Sequence, residues 1–293
     1  MTAELIGHFV HESPEWHAAR RSGVGGSEIA AILGLSKYQS RYSLWLFKKG
    51  LIPDQPVNDQ MTVGQYVEPA IVAWLSDKHG QPIATNLGTW RNRERPYQVA
   101  NLDGRMGDDL IECKFQIYEY EWGLDGSDEI PPYYLAQVRW YLDLFGLDTA
   151  RVGVLFGGSG RFAEFVVHPD DGDTALMREA AEEFMDSLAR NERPDIDEHG
   201  ATYEAIRREV PGVGSGDIEV SGEVAEQFLT ARRNLDTAKS AAQFATNRVL
   251  GLLNDCDAKR ATYCGKPIAY KQAGRGENPA FLKASPQPKE QIA

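Results

Sequence analysis

The residues with the clearest chemical potential lie in Asn101–Phe115, NLDGRMGDDLIECKF, which carries Asp103, Glu112 and Lys114 around a glycine-containing turn. Along a strand alternate residues share a face, so Leu110, Glu112, Lys114 and Gln116 point one way and Ile111, Cys113 and Phe115 the other. One face is oily and the other carries charge. Gly107-Asp108 has the Gly-X chemistry of a two-residue type II′ turn, and such a turn sets position 103 across from position 112. Partners in that arrangement sit roughly 4.5–5.5 Å apart. Two carboxylates at that separation repel unless a proton or a cation lies between them, and a hard divalent cation such as Mg²⁺ takes oxygen ligands of this kind. The neighbouring ammonium can polarise an attacking water or stabilise charge on a phosphoryl group. A Glu-x-Lys by itself is ordinarily a solvated strand face, and the opposed aspartate is what turns the set toward metal chemistry.

Apolar period and turn residues predict the elements that must hold these groups. Helices are expected near 14–21, 27–33, 40–49 and 62–79, then strands near 82–90, 96–103 and 108–116. A helix near 131–146 has Pro131-Pro132 at its start and Gly146 at its end. Strands near 151–157 and 161–168, joined by GGSG, form a hairpin. The segment DTALMREAAEEFMDSLAR follows as an amphipathic helix with Leu176, Ala180, Phe184 and Leu188 on one stripe. The expected fold class is α/β (α+β), a mixed sheet flanked by helices over residues 1–207. A Gly- and Pro-containing linker spans 208–222, and a C-terminal extension covers 223–293. In that extension Val224, Phe228, Ala231, Leu235, Ala238, Ala242, Ala245, Val249 and Leu252 recur at alternating spacings of four and three. Such a repeat marks a long helix packing along a narrow seam, on another helix of the chain or on a neighbouring subunit. A short hairpin at YCGKPIAYKQ and a frayed tail at SPQPKEQIA complete the expectation.

The whole chain bounds the chemistry further. Its 293 residues, 42% hydrophobic and 25% charged, are an ordinary globular composition with room for one large domain and an appendage. No run of 18 apolar residues occurs, so a soluble intracellular protein without a membrane span is expected. Cys113, Cys256 and Cys264 are an odd number at unrelated spacings, which argues against a disulfide framework and a zinc or iron–sulfur site. A net charge of −12 argues against a generally sticky polyanion binder but leaves room for a local basic path. From Pro14 to Gly50 six basic residues (Arg20, Arg21, Lys37, Arg41, Lys48, Lys49) face two acidic ones (Glu15, Glu28), so this segment is the candidate surface for a nucleic-acid backbone.

Three further stretches join the opening one. SGVGGSEIAAILG (22–34) is a glycine-rich turn into a helix with Ser27 as a plausible cap, and VGQYVEPAIVAWL (63–75) carries Glu68 on a helix. AQVRWYL (136–142) presents Gln137 and Tyr141 four apart on one helical face. In order with Asp103, Glu112 and Lys114, these resemble the YqaJ-like viral recombinase family. Its members are phage-type exonucleases similar to bacteriophage lambda exonuclease, within the PD-(D/E)XK nuclease superfamily. The resemblance covers about residues 14–170.

The resemblance implies a restriction-endonuclease-like core and Mg²⁺-dependent hydrolysis of double-stranded DNA ends from the 5′ side, with Mn²⁺ as a substitute metal. Asp103 and Glu112 resemble the central metal ligands, joined by the main-chain carbonyl of Cys113 and by Glu68 on its helix. Lys114 resembles the residue that orients the water nucleophile, Gln137 and Tyr141 the element that supports the site and the DNA. Arg21 and Ser27 match the places where the family holds a 5′ phosphate. The superfamily's proline before the aspartate is Leu102 here, a change that touches strand entry and not the chemistry. A single-strand annealing protein as partner, a trimeric ring of subunits, and a phage or prophage protein in the host cytoplasm are likewise implied.

Each role has a plainer counterpart. Glu68 directly before Pro69 is equally a residue ending a helical turn, Arg20 and Arg21 are ordinary surface charges, and RNRERP (91–96) is by default a solvated loop. Two other functions stay open: a structure- or sequence-specific endonuclease of the same fold, and a DNA-end-binding module without catalysis. The intact acid, acid and lysine set argues against the last, because a pure binder has no physical reason to hold repelling carboxylates beside phosphates.

Overall fold

The computed structural model describes residues 2–10, 13–53 and 58–285, and contacts divide the chain into two units, Met1–Gly212 and Val213–Ala293. In chain order the first unit runs β1 (Ala3–Gly7), α1 (Pro14–Arg21), α2 (Gly26–Ile32), α3 (Arg41–Lys48), α4 (Asp59–His79), β2 (Thr89–Asn92), β3 (Val99–Asn101), β4 (Gly104–Met106), β5 (Asp109–Gln116), α5 (Pro132–Phe145), β6 (Ala150–Phe156), β7 (Arg161–Val167), α6 (Asp171–Arg190) and α7 (Gly200–Glu209).

Its centre is a mixed sheet in the order β4-β5-β6-β7. β5 and β6 run parallel, with α5 as the crossover between them, and the outer pairs are antiparallel. Both faces are covered. Leu110, Val152 and Val154 join the core that contains Trp140 and Leu144 of α5, while Ile111 packs with Ile71 and Leu75 of α4. A Cβ at Gly153 would stand 2.6 Å from Ile71, so the absent side chain is what lets α4 lie directly on β6. β1, β2 and β3 form a small antiparallel sheet of their own.

Several expectations shift. The strand expected at 82–90 is confined to β2, with Ala84 making an isolated bridge to Arg105. The strand expected at 96–103 shortens to β3, which pairs with β2, and a separate short strand, β4, follows it and pairs with β5 in the other sheet. Asp103 sits at the bend between them. Pro69 lies inside α4, so Glu68 continues a helical turn instead of ending one. On α6 the buried line is Met177, Ala181 and Phe184, with Leu176 exposed. Either phase shares Phe184, and one residue is a rotation of about 100° on a 3.6-residue helix. The loop 91–96 is structural: Arg91 binds Glu4 at 3.0 Å, and Arg95 reaches Asp143 of α5 at 3.5 Å. β1 and α7 were not foreseen. Thr202 and Ala205 bury one side of α7, and the Thr202 hydroxyl lies 2.6 Å from that of Ser40, the cap of α3.

The second unit contains α8 (Gly222–Asp255), β8 (Arg260–Tyr263), β9 (Lys266–Gln272) and β10 (Phe281–Ala284). Ser221 caps α8 by accepting the Val224 N–H at 3.3 Å. β8 and β9 form the expected hairpin, turning at Cys264 and Gly265, both at positive φ as a type I′ turn requires. β10 adds an unforeseen third strand. Within this unit α8 meets the sheet at its C-terminal end, where Leu253 is buried. Along the seam of α8, Val224, Phe228, Leu235 and Leu252 are exposed. The tail beyond Ser285 lies outside the described residues. No helix among the described residues is long and apolar enough to cross a membrane.

Candidate active site

The turn after β4 positions the first two groups. Gly107 holds φ +60° and Asp108 is not at positive φ, the pattern of a type II′ turn. The ladder pairs Met106 with Asp109, Arg105 with Leu110 and Gly104 with Ile111. Continued by one residue, that register sets Asp103 opposite Glu112. The Asp103 carboxylate then accepts the Cys113 N–H at 2.8 Å, which fixes it at the edge of β5.

Glu112 is 1% exposed, so the charged face of β5 is no solvated face. It turns toward α5. The Gln137 amide nitrogen donates to Glu112 Oε1 at 2.6 Å. Lys114 Nζ donates to the same oxygen and, at 3.2 Å, to Gln137 Oε1. One glutamine therefore holds the acid and the lysine together. Tyr134 closes the other side, its ring 4.8 Å from Lys114 Nζ and its hydroxyl accepting from Gln116 at 2.6 Å.

Electrostatics follow from burial with an excess of negative charge. Burial, then the Asp103 charge, pushes Glu112 up to about 8 against the pull of Lys114. Burial likewise raises Asp103, although Lys114 and the Cys113 N–H favour its charged form. Glu68, half-buried on α4, is pushed up to about 7 by burial and by Asp103. Burial disfavours the charged form of Lys114, but Glu112 and Asp103 outweigh it and hold the ammonium protonated. Three carboxylates thus share one ammonium.

This donor set suits a hard divalent cation. Glu112 Oε2 is buried and has no hydrogen-bond partner, and such an orphan costs roughly 1–3 kcal/mol or more unless something binds it. Carboxylate oxygens are the ligands that Mg²⁺ prefers. Among the described residues no three acidic, cysteine or histidine side chains already enclose one point. The site is therefore a facing pair, Asp103 and Glu112, with Glu68 coupled to it by charge.

Behind the site lies α2. A Cβ on Gly26 would stand 2.6 Å from the Tyr141 ring and 2.8 Å from Gln137 Cγ, so only glycine lets this turn pack against α5. Tyr141 is buried there and faces no solvent. The cap of α2 is Gly25 and not Ser27, which lies one residue inside the helix and is exposed. Glu28, unremarked in the sequence beyond its charge, replaces a capping side chain: it accepts the Gly25 N–H at 2.8 Å and pairs with buried Lys48 at 2.7 Å. Lys48 also donates to the Gly23 carbonyl at 2.5 Å. A glutamate three residues after the cap was the available signal.

This pairing corrects the basic surface. Lys48 is buried, Arg41 pairs with Glu183 and Lys37 with Glu121, so the excess of cations between 14 and 50 is largely used within the fold. Arg21 remains exposed at the end of α1, its guanidinium 5.4 Å from the centre of the Phe47 ring.

A mixed sheet whose second strand carries an acid and a lysine, opposed by an aspartate and backed by a helix glutamine, is the arrangement the sequence resemblance leads one to expect. Residues 15–148 match the YqaJ-like viral recombinase domain. It is 26% identical over 271 residues to the uncharacterized protein YqaJ of Bacillus subtilis, covering 87% of this chain and 83% of that one. In fold it is similar to the alkaline exonuclease LHK-Exo of Laribacter hongkongensis, with a TM-score of 0.52, 22% identity, and coverage of 61% of this chain and 94% of that one. The structure of that exonuclease in complex with dAMP matches equally, at 21% identity.

Proposed function

We propose that the protein is a metal-dependent deoxyribonuclease that digests linear double-stranded DNA from its 5′ ends and leaves 3′ single strands. The observation that carries this reading is the buried, mutually repelling pair Asp103 and Glu112, with one unpartnered oxygen, set beside Lys114. The family and the fold it shares with an alkaline exonuclease support it.

Asp103, Glu112 and Glu68 would hold Mg²⁺ or Mn²⁺, with the Cys113 carbonyl as a further ligand. When bound, the cation supplies an activated water and neutralises charge on the phosphate. The chain's own groups do the rest. Gln137 fixes Glu112 in one rotamer and keeps Lys114 beside it. Lys114, held protonated by its carboxylate neighbours, donates hydrogen bonds to the attacking oxygen or to a phosphate oxygen as negative charge develops. Arg21 and Ser27, exposed around the turn into α2, would grip the terminal 5′ phosphate. An annealing protein that takes the 3′ strand, and a ring of subunits that encloses the duplex, belong to the same reading.

Incubation of linear and closed circular duplex with and without Mg²⁺ tests it. Loss of linear DNA labelled at one 5′ end, with circles intact and no loss in EDTA, is expected. Cutting of circles would make the protein an endonuclease, and inertness toward both would make it a binding module.

A further inference from the structure

A line of tyrosines leads outward from the candidate site. The Tyr134 ring, against Lys114, is 4.3 Å from Tyr133 between centroids. Tyr133 meets Tyr38 edge-on at 6.0 Å. Lys37 Nζ stands 5.2 Å from the Tyr133 ring and 6.0 Å from that of Tyr120, and Tyr120 lies 6.0 Å from Tyr118. The outer three are open to solvent: Tyr38 is 57% exposed, Tyr118 66% and Tyr120 64%. With Phe115, Gln116 and Trp122 they line a groove of about 280 Å³. β5 thus delivers Glu112 and Lys114 to the chemistry and, a few residues on, Tyr118 and Tyr120 to the surface.

The segment that carries these rings is held in place. Glu121 adopts φ +81°, a left-handed conformation that non-glycine residues rarely take, and its carboxylate is tied to Lys37 at 2.5 Å. Flexible exposed tyrosines would lose much of their contact energy in ordering, whereas these are positioned in advance.

We propose that Tyr38, Tyr118 and Tyr120 are a stacking platform for unpaired nucleobases, and that single-stranded DNA beside the metal site is what occupies this groove. The proposal rests on the reading of the site as a nuclease. A terminal phosphodiester reaches a buried carboxylate pair when the end of the duplex opens, and the bases so released need new faces to stack on. Every base has such a face, so the platform tolerates any sequence. Stacking also suits this chain for a reason of charge. At net −12, with Lys37 already paired, it holds DNA poorly by diffuse attraction, and ring contacts supply affinity that does not depend on charge.

The test uses the full-length protein in EDTA, where a nuclease of this class does not cut, and a short oligothymidylate carrying one 2-aminopurine. Base stacking quenches that fluorophore, so the signal reports ring contact and not mere proximity. Wild-type protein is expected to bind and quench. Because each stacked ring contributes to affinity, Tyr118→Ala with Tyr120→Ala should weaken binding at least about tenfold and abolish the quench. Tyr118→Phe with Tyr120→Phe, which keeps both ring faces, should stay within about twofold of wild type. All three residues are exposed, so the variants should unfold at the wild-type temperature. Binding and quenching by the alanine variant equal to wild type would overturn the platform and leave the rings to a protein partner, as would equal losses in the alanine and phenylalanine variants. Digestion of linear duplex by wild type, measured separately with Mg²⁺, tells a failure of the platform from a failure of the nuclease reading.

Discussion

Gln137 bonds both Glu112 and Lys114, its nitrogen to the acid at 2.6 Å and its oxygen to the ammonium at 3.2 Å. A residue that orients both the proposed metal-binding carboxylate and the lysine beside it acts through them, and loss of such outer contacts typically costs ten- to hundredfold in metal affinity or activity. Gln137→Ala is expected to lower the cleavage rate by roughly that factor and to raise the Mg²⁺ concentration needed for half-maximal rate. A rate loss with unchanged Mg²⁺ dependence would confine Gln137 to Lys114.

The proposed metal ligands and the lysine beside them should be less forgiving. Asp103→Asn and Glu112→Gln are expected to abolish digestion while the circular dichroism spectrum stays that of wild type, and Lys114→Ala to slow it roughly 10²-fold or more. Near-normal digestion by Glu112→Gln would remove the metal assignment.

A pH dependence follows from the raised carboxyls. Glu112 near 8 and Glu68 near 7 keep protons in the folded chain that the unfolded chain has already released above about 4.5. Folding therefore takes up protons, and the metal-free protein loses stability as pH rises from about 5 to about 8. A cation that replaces those protons has less to displace at high pH. The increase in melting temperature on adding Mg²⁺ should accordingly be larger at pH 9 than at pH 6. An equal increase at both values would show that the metal does not bind these carboxylates.

Arg21 reports on the DNA end. If its guanidinium grips a terminal phosphate, Arg21→Ala should erase the preference for 5′-phosphorylated over 5′-hydroxyl duplex and leave the Mg²⁺ dependence alone. Competition between the two substrates measures this directly, and a variant that keeps its preference would place the phosphate elsewhere.

Assembly is expected to run through α8. Its exposed seam has the four-three spacing of helices that pair with a neighbour, and an exposed apolar stripe of this length favours association. Light scattering on the intact chain should give a homo-oligomer. Phe228→Glu with Leu235→Glu should lower the mass while each subunit still cuts short linear DNA. A monomeric wild-type protein that digests long DNA without dissociating would end the ring hypothesis.

What the sequence determined by itself was local. The β4–β5 turn, the register of Asp103 and Glu112, the ends of α5 and the hairpin of β8 and β9 are all written in residues close along the chain, where turn chemistry and side-chain alternation act directly. The same closeness explains the slips. An apolar set on α6 permits two phases one residue apart, and a run such as 99–106 carries no mark of where one sheet ends and the next begins. Tertiary structure alone decided which charges are buried and what they meet. Glu28 finds Lys48, Glu112 finds Gln137, and Tyr38 comes beside Tyr133 because helices from distant parts of the chain pack on one sheet. Burial also raises the carboxyls by removing water from them, a property of the surroundings that no residue type carries in itself.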